Sequence, residues 1–150
     1  MADSEYIEVT TNEVTDKVTV VVCKHGGSSS EAVRLVQLLT DTDKEPDGGF
    51  RGFLDGVTWK RPHLSGESHT LCVRGERRDG VPVELIIHRM SAGFVGSGSL
   101  DAVAILVHLD LGPESYLQSI VTARDPSKNP HDSWKVSLGP EVLTPHIDFK

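Results

Sequence analysis

The chain reads as an α/β domain, an open three-layer sheet of mostly parallel strands with one antiparallel hairpin. Three stretches predict it. Residues 18–22 are an unbroken run of β-branched residues that passes through a Gly/Ser loop into a helical pattern, with Ala32, Leu35, Val36 and Leu39 on one face. Residues 69–74 and 81–88 alternate apolar and polar side chains around an Asp79-Gly80 turn. Residues 102–109 form a second continuous apolar run, and Gly112-Pro113-Glu114 then opens another helical pattern.

A length of 150 residues suits one domain that buries a core without disulfides or metal. Residues 1–17 are polar and acidic and read as an N-terminal arm, with weak alternation at Tyr6-Ile7-Glu8-Val9 that fits a short edge strand. The domain proper spans 18–138, and 139–150, with Pro140 and Pro145, reads as a C-terminal tail.

Within the domain, the run 18–22 lacks alternation, which implies a central strand buried on both faces. Its helix starts at Ser28, where Ser28-x-x-Glu31 has capping-box spacing, and ends near Thr40. Residues 41–68 are rich in Gly and Pro yet carry Phe50, Phe53 and Trp59, so part of the segment packs, with a short strand at 57–60. These three aromatics are the candidate partner-binding residues.

Pro82 belongs at the start of the second hairpin strand. The glycines of the following loop run Gly93-x-x-Gly96-x-Gly98 ahead of a strand, the wrong order and place for a dinucleotide fingerprint. Asp110 then falls at the carboxyl end of the apolar run, the sheet edge where open α/β folds place ligands. Tyr116, Leu117, Ile120 and Val121 give the next helix its buried stripe, and residues 134–138 read as the last strand.

A formal charge of −7 disfavours a general electrostatic grip on nucleic acid or anionic lipid. Arg74, Arg77 and Arg78 read as a solvated hairpin end. Two cysteines, Cys23 and Cys72, and no apolar signal peptide before the first strand point to a reducing, cytoplasmic compartment. A bridge between the two remains compatible with strands that lie side by side. Cys23-x-His25 and the scattered His63, His69, Cys72 and His88 lack paired ligand spacing, so no metal is expected.

The order of elements resembles the Ras-like small GTPases. Residues 71–88 look like that family's second and third strands, Ser91-Ala92-Gly93 falls where its D-T-A-G motif ends, and residues 100–110 with Pro113-Glu114-Ser115-Tyr116 are similar to its fourth strand and following helix. A working phosphate loop of that family reads G-x-x-x-x-G-K-[ST]. Here Cys23 and Ser28 replace the glycines, Ser29 replaces the lysine, and Ser30 alone keeps the hydroxyl; Met90 replaces the D-T-A-G aspartate, and no N-K-x-D motif follows. The resemblance therefore implies a pseudo-GTPase without cofactor, a non-catalytic module that binds a protein partner.

The same loop fits C-x-x-G-x-S-[ST]-S, as in the phosphotransferase-system IIB components. That resemblance implies an alternative, a phosphoryl-transfer or thiol-dependent enzyme with Cys23 as nucleophile and Gly26, Gly27, Ser28, Ser29 and Ser30 as the phosphate cradle. Lys24-His25-Gly26-Gly27-Ser28-Ser29 also resembles the opening of amino-acid kinases, with nothing after the first helix to extend it. A purely structural subunit of a larger assembly, contacting its neighbours through 50–59, is the third class. Against any tight phosphate stands Glu31, whose carboxylate occupies the first helical turn where an anion would want the dipole.

Overall fold

The computed structural model describes residues 6–42, 49–65, 69–91, 96–122, 134–138 and 145–149. Seven strands form one sheet: β1 (Ile7–Thr11), β2 (Val18–Val22), β3 (Thr58–Ser65), β4 (Thr70–Glu76), β5 (Pro82–His88), β6 (Trp134–Leu138) and β7 (Pro145–Phe149), in the spatial order β1-β2-β5-β4-β3-β6-β7. Among the described residues the helices α1 (Ser29–Leu39), α2 (Ser97–His108) and α3 (Glu114–Val121) accompany it.

Only β2 and β5 pair in parallel; every other neighbouring pair is antiparallel. The expectation of a mostly parallel sheet in Ras-like order is therefore corrected. The main cause is the run 102–109, which is not a strand but the body of α2. Short apolar runs do not separate a buried strand from a helix by periodicity. Here the helix is apolar nearly all round: Ala102, Val103, Ile105 and Leu106 are buried, while Leu100 and Val107 remain exposed on the outer ridge.

The three-layer expectation fails too, because the helices cover one face of the sheet. Leu64, Leu71, Ile87, Val22 and Ile7 form a continuous row across β3, β4, β5, β2 and β1, and all five are buried. Val73, Leu85 and Val20 make the next row. Their sequence neighbours Cys72, Ile86 and Val21 point the other way and are half-exposed. Alternate burial thus holds even in β2, expected to be buried on both faces; β-branched residues on the open face gave it the look of a central strand.

The hairpin lies where its alternation places it, with Thr70 opposite His88 and Glu76 opposite Pro82. Its turn closes through Arg77 N–H to Val81 O (2.9 Å) and Gly80 N–H to Arg77 O (2.9 Å). Gly80 takes the left-handed conformation (φ 86°) that such a loop demands. Residues 7–11 of the expected arm pair with β2 as an edge strand, and 145–149 of the expected tail form β7. The short strand expected at 57–60 is the start of the longer β3. Ahead of it, the turns around Phe50 and Leu54 are tied to the end of α1 by Gly52 N–H to Leu38 O and Leu54 N–H to Leu39 O. Residues 1–5, 43–48, 66–68, 92–95 including Gly93, 123–133, 139–144 and 150 lie outside the described residues.

Candidate functional site

The parallel pair determines where a site can form. β2 and β5 run side by side in the same direction, each is followed in sequence by a helix, and both strand ends open on one edge of the sheet. Outside the carboxyl ends of such strands α/β folds leave a crevice. Cys23 (φ 59°) and Arg89 (φ 70°), each the first residue beyond its strand, both turn the chain in the left-handed region. For residues with a Cβ that conformation costs about 1–2 kcal/mol.

Between these turns lies an open cleft of about 440 Å³. Lys24, Ser28 and Ser29 form one wall, His88, Arg89 and Ser91 the other, and Ser97 and Gly98 at the start of α2 close a third side, with His69 beside them. The first turns of two helices therefore meet four nitrogen-bearing side chains. Among the described residues neither Lys24 nor Arg89 has an ion pair. Two cations with no ion pair among the described residues, beside two positive helix ends, make a setting that favours an anion. Burial above all, and then Arg89, Lys24 and His25, hold the His88 imidazolium below its ordinary pKa of 6.5, with Glu8 opposing.

The five loop residues expected to cradle phosphate divide. Ser28 and Ser29 line the cleft. Gly26 and Gly27 instead make room for packing: a Cβ on Gly26 would lie 3.2 Å from the Tyr6 ring, and one on Gly27 2.9 Å from Cys23 Sγ. The Ser30 hydroxyl lies 3.0 Å from that of Ser28. Ser28 caps α1 as expected, accepting from Glu31 N–H at 3.2 Å. The Glu31 carboxylate, however, accepts from Arg34 Nε at 2.6 Å, so its charge is drawn along the helix.

Cys23 is buried, and its Sγ lies 4.0 Å from Ser28 O. Burial first, then the Glu31 carboxylate, push its thiol above the ordinary 9.0, while Arg89 and Arg34 pull weakly the other way. This is the environment of a small apolar side chain, opposite to that of an activated nucleophile. Cys72 is half-buried on the open sheet face, and both cysteines are free.

Asp110 sits nowhere near the cleft. It is the left-handed residue (φ 62°) just past α2, where Asp110 N–H donates to Val107 O and Leu111 N–H to Leu106 O, with both leucines buried. That pattern ends a helix. Asp110 and Trp59 border a smaller hollow of about 260 Å³ at the carboxyl ends of α1 and α2. Phe50 and Trp59 pack against the core margin, and Phe53 is 44% exposed beside Arg77 and Arg78.

His69, His88, Arg89, Ser91 and Ser97 were not singled out for binding in the sequence. The signal that finds them is the rule applied to Asp110, used at the end of the correct parallel strand: β5 rather than 102–109. The glycine-containing stretch at Gly96 and Gly98 leads into a helix, not a strand.

Among the described residues no group of three or more His, Cys, Asp or Glu is placed to hold a metal ion, and no helix is long and apolar enough to cross a membrane. Comparisons with protein-family models, with curated proteins and with solved structures return no match.

Proposed function

We propose that the chain is a non-catalytic interaction module that holds an anionic group of a protein partner in the cleft between β2 and β5. One observation carries the reading: Lys24 and Arg89 face the same cleft without ion-pair partners among the described residues, in a chain whose formal charge is −7. Two cations without ion pairs among the described residues, beside two helix N-termini, are a feature that suits an anionic group even on an acidic chain.

The lining supports a charged group presented by a larger partner over a free small molecule. Small-molecule sites are lined mainly by apolar and aromatic side chains. This cleft is lined by serines and cations, and its one large apolar contributor, Met90, is itself buried. The thiol of Cys23, at the end of β2, is buried.

The test is binding of acidic and phosphoserine-bearing peptides to the wild-type chain and to Lys24→Glu and Arg89→Glu, followed by calorimetry. Each charge reversal is expected to weaken binding by about tenfold or more, the effect of removing a charge-assisted bond of 1.4 kcal/mol or above. Affinity unchanged from the wild-type chain in both variants, or turnover of the phosphopeptide, overturns the reading.

A further inference from the structure

We propose that the exposed ridge of α2 is a self-association surface, on which two copies of this chain pack their α2 helices antiparallel about a two-fold axis near Ala104. The inference goes beyond the anion cleft and uses a different face of the molecule.

α2 packs against both α1 and α3. A helix laid on a sheet normally turns a polar face to water, as its neighbours do with Arg34 and Gln37 on α1 and Gln118 and Ser119 on α3. α2 does not, because every residue from Ala102 to Val107 is apolar. Leu100, Ala104 and Val107, spaced i, i+4 and i+7, fall within an arc of about 60°. They lie opposite the buried Ala102 and Leu106. Leu100 is 40% and Val107 36% exposed, and Ala104 between them is exposed as well. Helices that are apolar all round belong in interiors. An apolar ridge with polar helix faces on either side has the make-up of an interface core and its rim.

Two features fit a second copy as the occupant. The ridge runs large, small, large, so it reads alike from either end. A two-fold axis near Ala104 sets Leu100 of each copy against Val107 of the other, and the small alanines at the centre let the helices approach closely.

The second feature is charge. The contacts of Ser29 with Asp101 and of Thr40 with His108 align α1 with α2 in one direction. Both amino ends therefore lie at the cleft, with Lys24 and Arg89. Both carboxyl ends lie at the hollow bordered by Asp110, which is exposed and has no ion pair among the described residues. A copy turned antiparallel brings its negative end beside the other's positive end, whereas a parallel copy would set like ends together. The charge distribution thus selects the same orientation as the side-chain sizes.

α2 has 12 residues and is about 18 Å long. A ridge of that length is small against the roughly 1,000 Å² that a stable interface buries, so the dimer is expected to be weak. Sedimentation equilibrium of the whole chain from about 10 μM to 1 mM covers that end of the affinity scale and should show reversible monomer–dimer exchange. Leu100→Glu and Val107→Glu should each weaken dimerisation by about tenfold or more, since the two-fold axis places every substitution in the interface twice. At low concentration Leu100→Glu should leave the denaturation midpoint nearly unchanged, which separates loss of association from loss of fold.

Orientation is read by disulfide trapping. Helices about 8–10 Å apart bring facing Cα atoms at the axis within disulfide reach. Ala104→Cys should cross-link to itself, and Leu100→Cys mixed with Val107→Cys should cross-link to each other faster than Leu100→Cys does to itself. The wild-type chain, with Cys23 buried and Cys72 half-buried, supplies the baseline. A chain that stays monomeric up to about 1 mM, or a dimer indifferent to both glutamates, overturns the proposal. Self-trapping of Leu100→Cys that outpaces the mixed pair overturns it as well, because that result requires parallel helices. Neither Leu100 nor Val107 lines the cleft, so each of these failures leaves the anion-binding reading standing.

Discussion

The hydroxyl of Ser29 donates to the carboxylate of Asp101, and this bond ties the first turn of α1 to the amino-terminal half of α2. At the opposite ends of the same helices Thr40 Oγ1 lies 2.7 Å from His108 Nε2. Like ends are therefore joined to like, and the two helices run in the same direction on the sheet. Their aligned dipoles repel weakly, and Asp101 offsets this at the positive end.

Removing the Ser29 hydroxyl leaves that carboxylate part-buried without its donor. Ser29→Ala should cost about 1–2 kcal/mol, the range for a hydrogen bond to a charged acceptor reduced by its partial exposure. In a urea-denaturation cycle with Asp101→Ala, the double variant should lose less than the sum of the two single losses. Additive losses would mean that the bond contributes nothing.

Three glycines separate steric from conformational cost. Gly80 has a left-handed backbone and open space around it, so Gly80→Ala should cost about 1 kcal/mol from conformation alone. Gly27 is left-handed and a Cβ there would lie 2.9 Å from Cys23 Sγ, so Gly27→Ala adds a clash to a similar strain. Gly75 lies in β4 opposite Trp59, and its Cβ would fall 2.5 Å from Val57 Cγ1 and 2.9 Å from Trp59 Cε3. Gly75→Ala should therefore be costly through packing, by about 1–3 kcal/mol. Denaturation midpoints ranking Gly80→Ala as the most harmful of the three would contradict this assignment.

Leu85 is fully buried in β5 between Val73 and Val20, whereas Leu100 on α2 is 40% exposed. Leu85→Ala should destabilise by about 2–5 kcal/mol and Leu100→Ala by less than about 1 kcal/mol. The contrast checks that α2 packs through Ala102, Val103 and Leu106, as its burial requires.

Both thiols hold their proton more tightly in the folded chain than in the unfolded one, since burial is the leading cause of the rise in each, followed by Glu31 for Cys23 and Glu84 for Cys72. Their contribution to stability is therefore complete below the ordinary value of 9.0 and is lost as the pH rises through the folded values. Cys23→Ala with Cys72→Ala should flatten the alkaline limb of the stability profile. At neutral pH, alkylation by iodoacetamide should be slow at both sites and slower at Cys23.

What the sequence made legible was local. The Ser28 cap, the hairpin register from Thr70 to Glu76 and the burial of Leu35 and Leu39 all follow from neighbouring residues, and the structure has them. The pairing of β2 with β5 is not local: no spacing within residues 18–22 or 82–88 says which strands will meet, or in which direction. The helix 97–108 escaped because its outer ridge, Leu100, Ala104 and Val107, is apolar where a surface helix is normally polar, which erased the period that distinguishes it from a strand. Misplacing that element carried Asp110 to a sheet edge and left Arg89 unremarked at the real one.

The single parallel pair also has a kinetic meaning. Antiparallel neighbours such as β4 and β5 zip from a tight turn, but β2 and β5 must find each other after α1, β3 and β4 have been threaded between them. Contacts this distant in sequence close slowly, because the loop entropy is lost before any pairing offsets it. The walls of the cleft, Lys24 on one strand end and Arg89 on the other, come together only at that step. Pairing of β2 with β5 therefore assembles both walls at one step, and no isolated β4–β5 hairpin presents them together.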